Sequence, residues 1–362
     1  MSQLAPGWAE ARRVLAIRLD NLGDVLVTTP ALRAIRHALP AAELALLASP
    51  VGAQAGALNP DLDEVITYRA PWMDPWAELP LDPEREQQTI AELRARSFDA
   101  AVIFSSFRQS PLPAAYLCYL AGIPLRLAAS IDGPGSLLTT RHRHPERMMH
   151  EVERGLDLVG AVGIAPPDDD HLVLQPPPGA AAQIGRFTAG DGPLVVVHPG
   201  CSMPARTYPW PMFAEAIALL VQQHGARVVI TGVASERPLA EAICDALPPE
   251  VRPRVTSAAG DLPFPAFAAL IAAADLTITN NTGPMHMAAA LGTPVVALFA
   301  LTNPPEQWGP WRVPHRLLYR EVPCRLCYSR ICPTDHACLV GVPPAEVAAA
   351  AGELLGLRGG AR

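Results

Sequence analysis

The sequence predicts an α/β chain of two Rossmann-like domains, each a parallel sheet wrapped by helices. Short β-rich runs alternate with helical stretches along the chain, the alternation stops once at a proline-rich segment and restarts, and 362 residues are too many for one core. Two cores of roughly 150 to 180 residues suit that length.

In the first half the apolar runs are VLAIRL (14–19), ELALLA (43–48), EVITY (64–68) and DAAVIF (99–104). They are apolar nearly throughout, as strands covered on both faces are. Between the first two, ALRAIRHAL sets Leu32, Ile35 and Leu39 at helical spacing, which reads as a crossover helix between parallel strands. HEVERGLDLVGAVGI (150–164) reads as another helix. Prolines at 166, 167, 176, 177 and 178 then exclude regular helix and mark a connection. The expected boundary is near residue 180, with one domain over 1–180 and a second over 181–362. The second half repeats the pattern with LVVVHPG (194–200), ARVVITG (226–232), ADLTITN (274–280) and TPVVALF (293–299), each ending in a polar or Gly-rich turn. Ligands of open α/β sheets bind at the carboxyl ends of strands, so a cleft between the two domains is the expected place for chemistry.

Composition narrows the function. Half the residues are hydrophobic and 17% are charged, which is globular material. A net charge of -7 offers no basic face for wrapping nucleic acid. The local basic cluster RHRHPER (141–147) reads as a solvated loop, or as a contact for an anionic small molecule or lipid head group. The N-terminal MSQLAPGWAEARR lacks the apolar core of a secretory signal, and PMHMAAALGTPVVALFAL (284–301) is interrupted at Gly292, Thr293 and Pro294, so it reads as helix, turn and strand rather than a membrane span. With seven cysteines, an odd number, the expected setting is the reducing cytoplasm.

Four stretches carry candidate chemistry. RLDNLGDVLVTTP (18–30) follows the first strand, and Asp24 comes just after Gly23, where a helix begins. A carboxylate there is stabilised by the helix dipole, or serves as a proton acceptor at the strand's exit. Pro30 leaves two choices, a kink at that point or a helix starting at Thr29, while Asp20 and Asn21 read as turn formers. In HPGCSMPARTYPWPMF (198–213) the turn is an irregular loop, or it presents N–H groups and Arg206 to an anion. In NNTGPMHMAAALG (280–292), Thr282 or Gly283 caps a helix, Pro284 suits its first position and Gly292 closes it. Such an N-terminus matches a diphosphate, with His286 on the first turn; the alternative is a well-capped structural helix. Finally, Cys324, Cys327, Cys332 and Cys338 are spaced x2, x4 and x5, which fits a structural zinc or another thiophilic metal, with His336 as a substitute ligand, or free thiols in a local knot, or disulfides. Cys118, Cys201 and Cys244 read as small packed residues. Trp72 and Trp76 are candidates for sugar stacking or core packing.

Together these motifs resemble glycosyltransferase family 9, the ADP-heptose:lipopolysaccharide heptosyltransferases. VLAIRLDNLGDVLVTTPALRAIR is similar to the family's N-terminal signature, HPG…PARTYPWPMFAEA to its central phosphate-binding segment, and TNNTGPMHMAAALGTPVVALFALTNPPEQWGPW to its donor-binding block. HEVERGLDLVGAVGI is similar to its interdomain helix. The resemblance implies a GT-B fold, with the acceptor on the first domain and the nucleotide-sugar on the second, and inversion at the anomeric carbon with no cofactor required for catalysis. It implies Asp24 as general base and Arg206 as a contact for the donor phosphates. Glu236 would lie near the donor ribose, and Thr282, Gly283 and His286 would form the diphosphate-binding turn and helix. Asn281 stands where the family usually has Asp, which keeps capping ability and loses the charge. The implied partners are an ADP-heptose-like donor and a glycan or glycolipid acceptor, met in the cytoplasm or at the inner membrane surface, with no nucleic acid. Two other classes fit doubly wound halves. One is a non-catalytic nucleotide-sugar binder; the other is a nicotinamide-dependent oxidoreductase, against which neither half shows G-x-G-x-x-G after its first strand.

Overall fold

The computed structural model describes residues 4–73, 78–106 and 108–359. Trp76 lies outside the described residues. The chain forms two compact units, Met1–Val173 and Leu174–Arg362, where the sequence places the boundary near residue 180.

Each unit holds one six-stranded, all-parallel sheet. In the first, β1 (Arg13–Arg18), β2 (Glu43–Ala48), β3 (Glu64–Thr67), β4 (Ala100–Ile103), β5 (Leu125–Ala129) and β6 (Thr140–His142) run in the order β3-β2-β1-β4-β5-β6. In the second, β7 (Leu194–His198), β8 (Arg227–Ile230), β9 (Val255–Ser257), β10 (Leu276–Asn280), β11 (Val295–Leu298) and β12 (His315–Leu318) run β12-β11-β10-β7-β8-β9. In both, the order reverses beside the first strand, between β1 and β4 and between β7 and β10, so loops on either side of that point diverge and leave room for a ligand. These two Rossmann-like units are the GT-B fold.

The inner strands are the apolar runs: Leu15 and Ile17 of β1 and Val195 and Val197 of β7 are buried in their units' cores. Strands β5, β6, β9 and β12 escape a search for apolar runs because they are short or polar. Arg126 interrupts β5, yet it is buried, because its guanidinium donates to the carbonyls of Ile123, Pro124, Ser136 and Leu137. A buried cation is tolerable when each N–H has an acceptor.

The first helix decides between the choices that Pro30 left open. It starts at Leu22, beside Gly23 as the sequence reads, with Asn21 at its cap, and runs to Ala38 with Pro30 inside, so the start at Thr29 is excluded. Proline lacks the N–H that would bond the carbonyl four residues back. The hydroxyl of Thr29 donates to that carbonyl, Leu26 O, at 2.7 Å, and so replaces the missing rung. The Thr29 hydroxyl oxygen also accepts the N–H of Val173 at 2.8 Å. Among the described residues, no helix is long and apolar enough to cross a membrane.

Candidate functional site

At the exit of β1, Arg18 is only 3% exposed and sits among three carboxylates. Its Nε lies 2.8 Å from Asp20 Oδ2, its Nη2 2.9 Å from Asp24 Oδ1, and Nη2 3.7 Å from Glu151 Oε2. Burial works against the guanidinium charge, but the fields of Asp20, Asp24 and Glu151 outweigh it and hold its pKa above the ordinary arginine value. Asp24 is the third residue of the first helix, where its Oδ2 accepts the Asn21 N–H at 3.1 Å and closes a capping box. Its other oxygen is fixed by Arg18 and by the Ser106 hydroxyl at 3.2 Å. The side chains of Asp20 and Glu151 are 5% and 2% exposed, whereas that of Asp24 is 14% exposed. Asp24 is therefore the carboxylate of the three with most reach to solvent.

Asp20 lies in the bend between β1 and the first helix, as the sequence reads, but its side chain does more than shape a turn. It is a buried partner of Arg18 that also accepts a hydrogen bond from the Gln109 amide. Burial pushes its carboxyl up to about 6, against the lowering field of Arg18 and with the charge of Asp24 adding to the rise. A carboxyl raised in the folded state costs stability only when ionised. That cost is absent below the unfolded value, about 4, grows as pH rises, and is complete above about 6. Asp20→Asn keeps an acceptor for Gln109 and removes the cost. The variant's stability minus the wild type's is expected to climb between pH 4 and 6 by on the order of 2 to 3 kcal/mol and then level off; denaturant titrations across that range check it, and a flat difference would refute it.

In the second unit, β7 ends at His198, and the chain turns through Pro199 and Gly200. Asn280, at the end of neighbouring β10, is fully buried and fastens this turn: its amide donates to Pro199 O at 2.8 Å and its Oδ1 accepts the Tyr208 N–H at 3.0 Å. Glu236 follows β8 and lies across Gly200. A Cβ at residue 200 would meet Glu236 Oε1 at 2.0 Å, and one at Gly232 would meet Oε2 at 2.9 Å. Two glycines thus make the space that the carboxylate occupies, and the Val233 N–H holds Oε2 at 2.8 Å. His198 Nε2 is 3.9 Å from the same oxygen, and burial pushes that imidazole down to about 4, so it is neutral at physiological pH.

Arg206 belongs to a short turn, Pro204–Arg206, and its Nε donates to Thr302 Oγ1 at 2.9 Å. Thr302 contacts Asn303, and Asn303 Oδ1 accepts from Asn281 Nδ2 at 3.1 Å. Asn281 also accepts the Ala300 N–H, so its side chain ties the end of β10 to the end of β11 and does not cap the helix. In that helix, Gly283–Ala290, Thr282 holds the N-cap position without a side-chain cap bond, its hydroxyl bonding Cys201 instead; Gly283 and Pro284 are its first two residues, and His286 is buried in its first turn. The positive dipole end of such a terminus favours an anion, although Pro284 has no N–H and the Met285 N–H is bonded to Thr282 O at 3.0 Å. The chain of contacts from Arg206 to Asn281, and from Cys201 to Thr282, brings the segments around 200, 280 and 300 together at the strand ends.

The four cysteines of the C-terminal segment are less convergent. Cys324 and Cys332 approach the Thr334 hydroxyl at 3.5 and 3.7 Å, Cys332 Sγ accepts the His336 N–H, and Cys338 accepts the Leu301 N–H. No three of the four sulfurs lie within 4.8 Å of one another. Trp72 packs against Tyr68 with 5.9 Å between ring centroids, and it lines a small cavity with Asp20 and Gln109.

Sequence reasoning did not find Arg18, Glu151, Asn280 or the glycine space around Glu236. One signal was available for Arg18, a charged residue at the end of an otherwise apolar strand.

Residues 87–338 match the model of glycosyltransferase family 9 (heptosyltransferase). The chain is 29% identical over 218 residues to lipooligosaccharide heptosyltransferase 2 of Haemophilus influenzae, an alignment that covers 57% of this chain and 62% of that protein. It is 25% identical to lipopolysaccharide heptosyltransferase 2 of Escherichia coli K12, over 81% of this chain and 84% of that one. The solved structure of E. coli ADP-heptose lps heptosyltransferase II superposes with a TM-score of 0.77 at 23% identity, covering 96% of this chain and 99% of that one. With the family model spanning more than half of its length, the chain belongs to glycosyltransferase family 9 and is a glycosyltransferase.

Proposed function

We propose that this glycosyltransferase moves a heptose from an ADP-heptose-like donor to a hydroxyl of a lipopolysaccharide-type acceptor, with inversion at the anomeric carbon. The observation that carries the mechanism is the placement of Asp24: three donors fix its two oxygens, and it is the most accessible member of a buried carboxylate cluster. As the acceptor oxygen bonds to the anomeric carbon, its proton passes to Asp24 and the bond from that carbon to the diphosphate breaks. The electron pair leaves with the diphosphate. Arg206 and the positive end of the Gly283–Ala290 helix would stabilise that growing charge. Glu236, seated between two glycines, would accept hydrogen bonds from ribose hydroxyls. The names of the related proteins support the donor sugar and the acceptor class.

Incubation of the chain with ADP-heptose and a heptose-deficient lipopolysaccharide acceptor is expected to release ADP. Binding of ADP-heptose without turnover on any acceptor would favour a non-catalytic binder, and turnover of a different nucleotide-sugar alone would overturn the donor. Arg206→Ala is expected to weaken donor binding about 10- to 100-fold, the scale of a charge-assisted hydrogen bond. Calorimetry with ADP reads this, and an unchanged affinity removes Arg206 from the donor site.

A further inference from the structure

The segment that forms β6 continues to His144. Alternation along it exposes Arg141 and Arg143 and half-buries His142 and His144 on the other side. Facing them is Asp157 of the helix Glu151–Gly160. Its Oδ2 is 2.7 Å from His142 Nε2 and 2.7 Å from His144 Nδ1, and the two rings meet edge to face with centroids 4.9 Å apart. The three donor atoms lie within 4.8 Å of one another, the one such group of His, Cys, Asp or Glu among the described residues.

Two imidazole nitrogens and a carboxylate oxygen, delivered by two different elements, are the donor set of borderline divalent cations. Bonds of about 2.0 to 2.2 Å place neighbouring ligand atoms roughly 3 to 3.5 Å apart, so each imidazole nitrogen, now 2.7 Å from Asp157 Oδ2, would draw back from it by less than about 1 Å to admit the ion. Arg154 lies three residues before Asp157, but its charge is matched by Glu151 at 3.2 Å. Of the three, His144 also lines a small cavity with Thr28, Ser105, Glu151 and Arg154. We propose that His142, His144 and Asp157 bind a divalent first-row transition metal of the zinc and iron(II) class, with at least one coordination position open. The metal would tie the edge strand β6 to the helix that carries Glu151.

The test uses the purified full chain, stripped with a chelator and titrated with Co2+ and Zn2+ near pH 7.5. Cobalt separates this site from the cysteine segment, because thiolate ligands add an intense near-ultraviolet charge-transfer band that nitrogen and oxygen ligands lack. The expected result is one equivalent of Co2+ bound without that band. Affinity should fall at least tenfold in His144→Ala and in Asp157→Asn and stay unchanged in Cys327→Ser. Zn2+ should raise the thermal midpoint of the wild type and of Cys327→Ser but not of Asp157→Asn. His142→Gln, which keeps a hydrogen bond to Asp157, supplies a second folded variant that should also lose binding. Failure to take up either metal, uptake seen only as the thiolate band and lost in Cys327→Ser, or full affinity in the Asp157 and His142 variants would each overturn the site.

Discussion

Asp24→Asn is expected to lower turnover by about 10²- to 10⁴-fold while leaving the affinity for the nucleotide within a factor of two or three, the range for loss of a general base. The substitution keeps the side chain's volume and an acceptor for the Asn21 N–H, so the capping box that starts the first helix can persist. What it removes is the basic oxygen. Single-turnover rates with saturating donor, together with calorimetry on ADP, separate the two effects. A variant with wild-type turnover would show that another group takes the proton. A variant that loses nucleotide affinity as well would show that Asp24 supports the fold and not the reaction.

Arg18→Met should carry the largest cost to stability, about 3 to 5 kcal/mol, because it leaves Asp20, Asp24 and Glu151 without the cation they share. Methionine fills the stem's space, so the loss reflects charge more than packing. The cost should also depend on pH. Burial already pushes Asp20 up to about 6, and it will be held higher once Arg18 no longer opposes that rise. Protonation then relieves the repulsion, so the difference from wild type should shrink as pH falls from 8 towards 5. Urea titrations at several pH values measure it, and a cost independent of pH would mean that the carboxylates are not the source.

Inner strands such as VLAIRL, ELALLA and LVVVH could be read directly, because a strand covered on both faces is apolar nearly throughout; β10, LTITN, is buried as well although threonine alternates with its apolar residues. The edge strands could not. TRH and VTS contain nothing that distinguishes a three-residue strand from a loop, and their place is set by the neighbours they pair with. At the site, Arg206, Asn281 and Thr282 were visible as polar residues in turns after strands. The contacts joining them were not, since Thr302, Asn303 and Cys201 come from other segments. The continuity of the first helix through Pro30 was hidden for a different reason. Proline at its ninth residue argues for a boundary, and only the geometry shows that a neighbouring hydroxyl has taken over the lost bond. Glu151 could be seen as an acid in a helix's first turn, but nothing local says that it is buried against an arginine more than a hundred residues earlier.

The hydroxyl of Thr29 has a mechanical meaning as well. It joins the middle of the first helix to Val173, the last residue of the first unit, across 144 positions of sequence. Tension on the chain where it leaves that unit is therefore borne by the interior of a helix and not by a sheet edge. It arrives beside Pro30, where the backbone ladder lacks a rung of its own and one side-chain oxygen serves two strands of covalent chain at once.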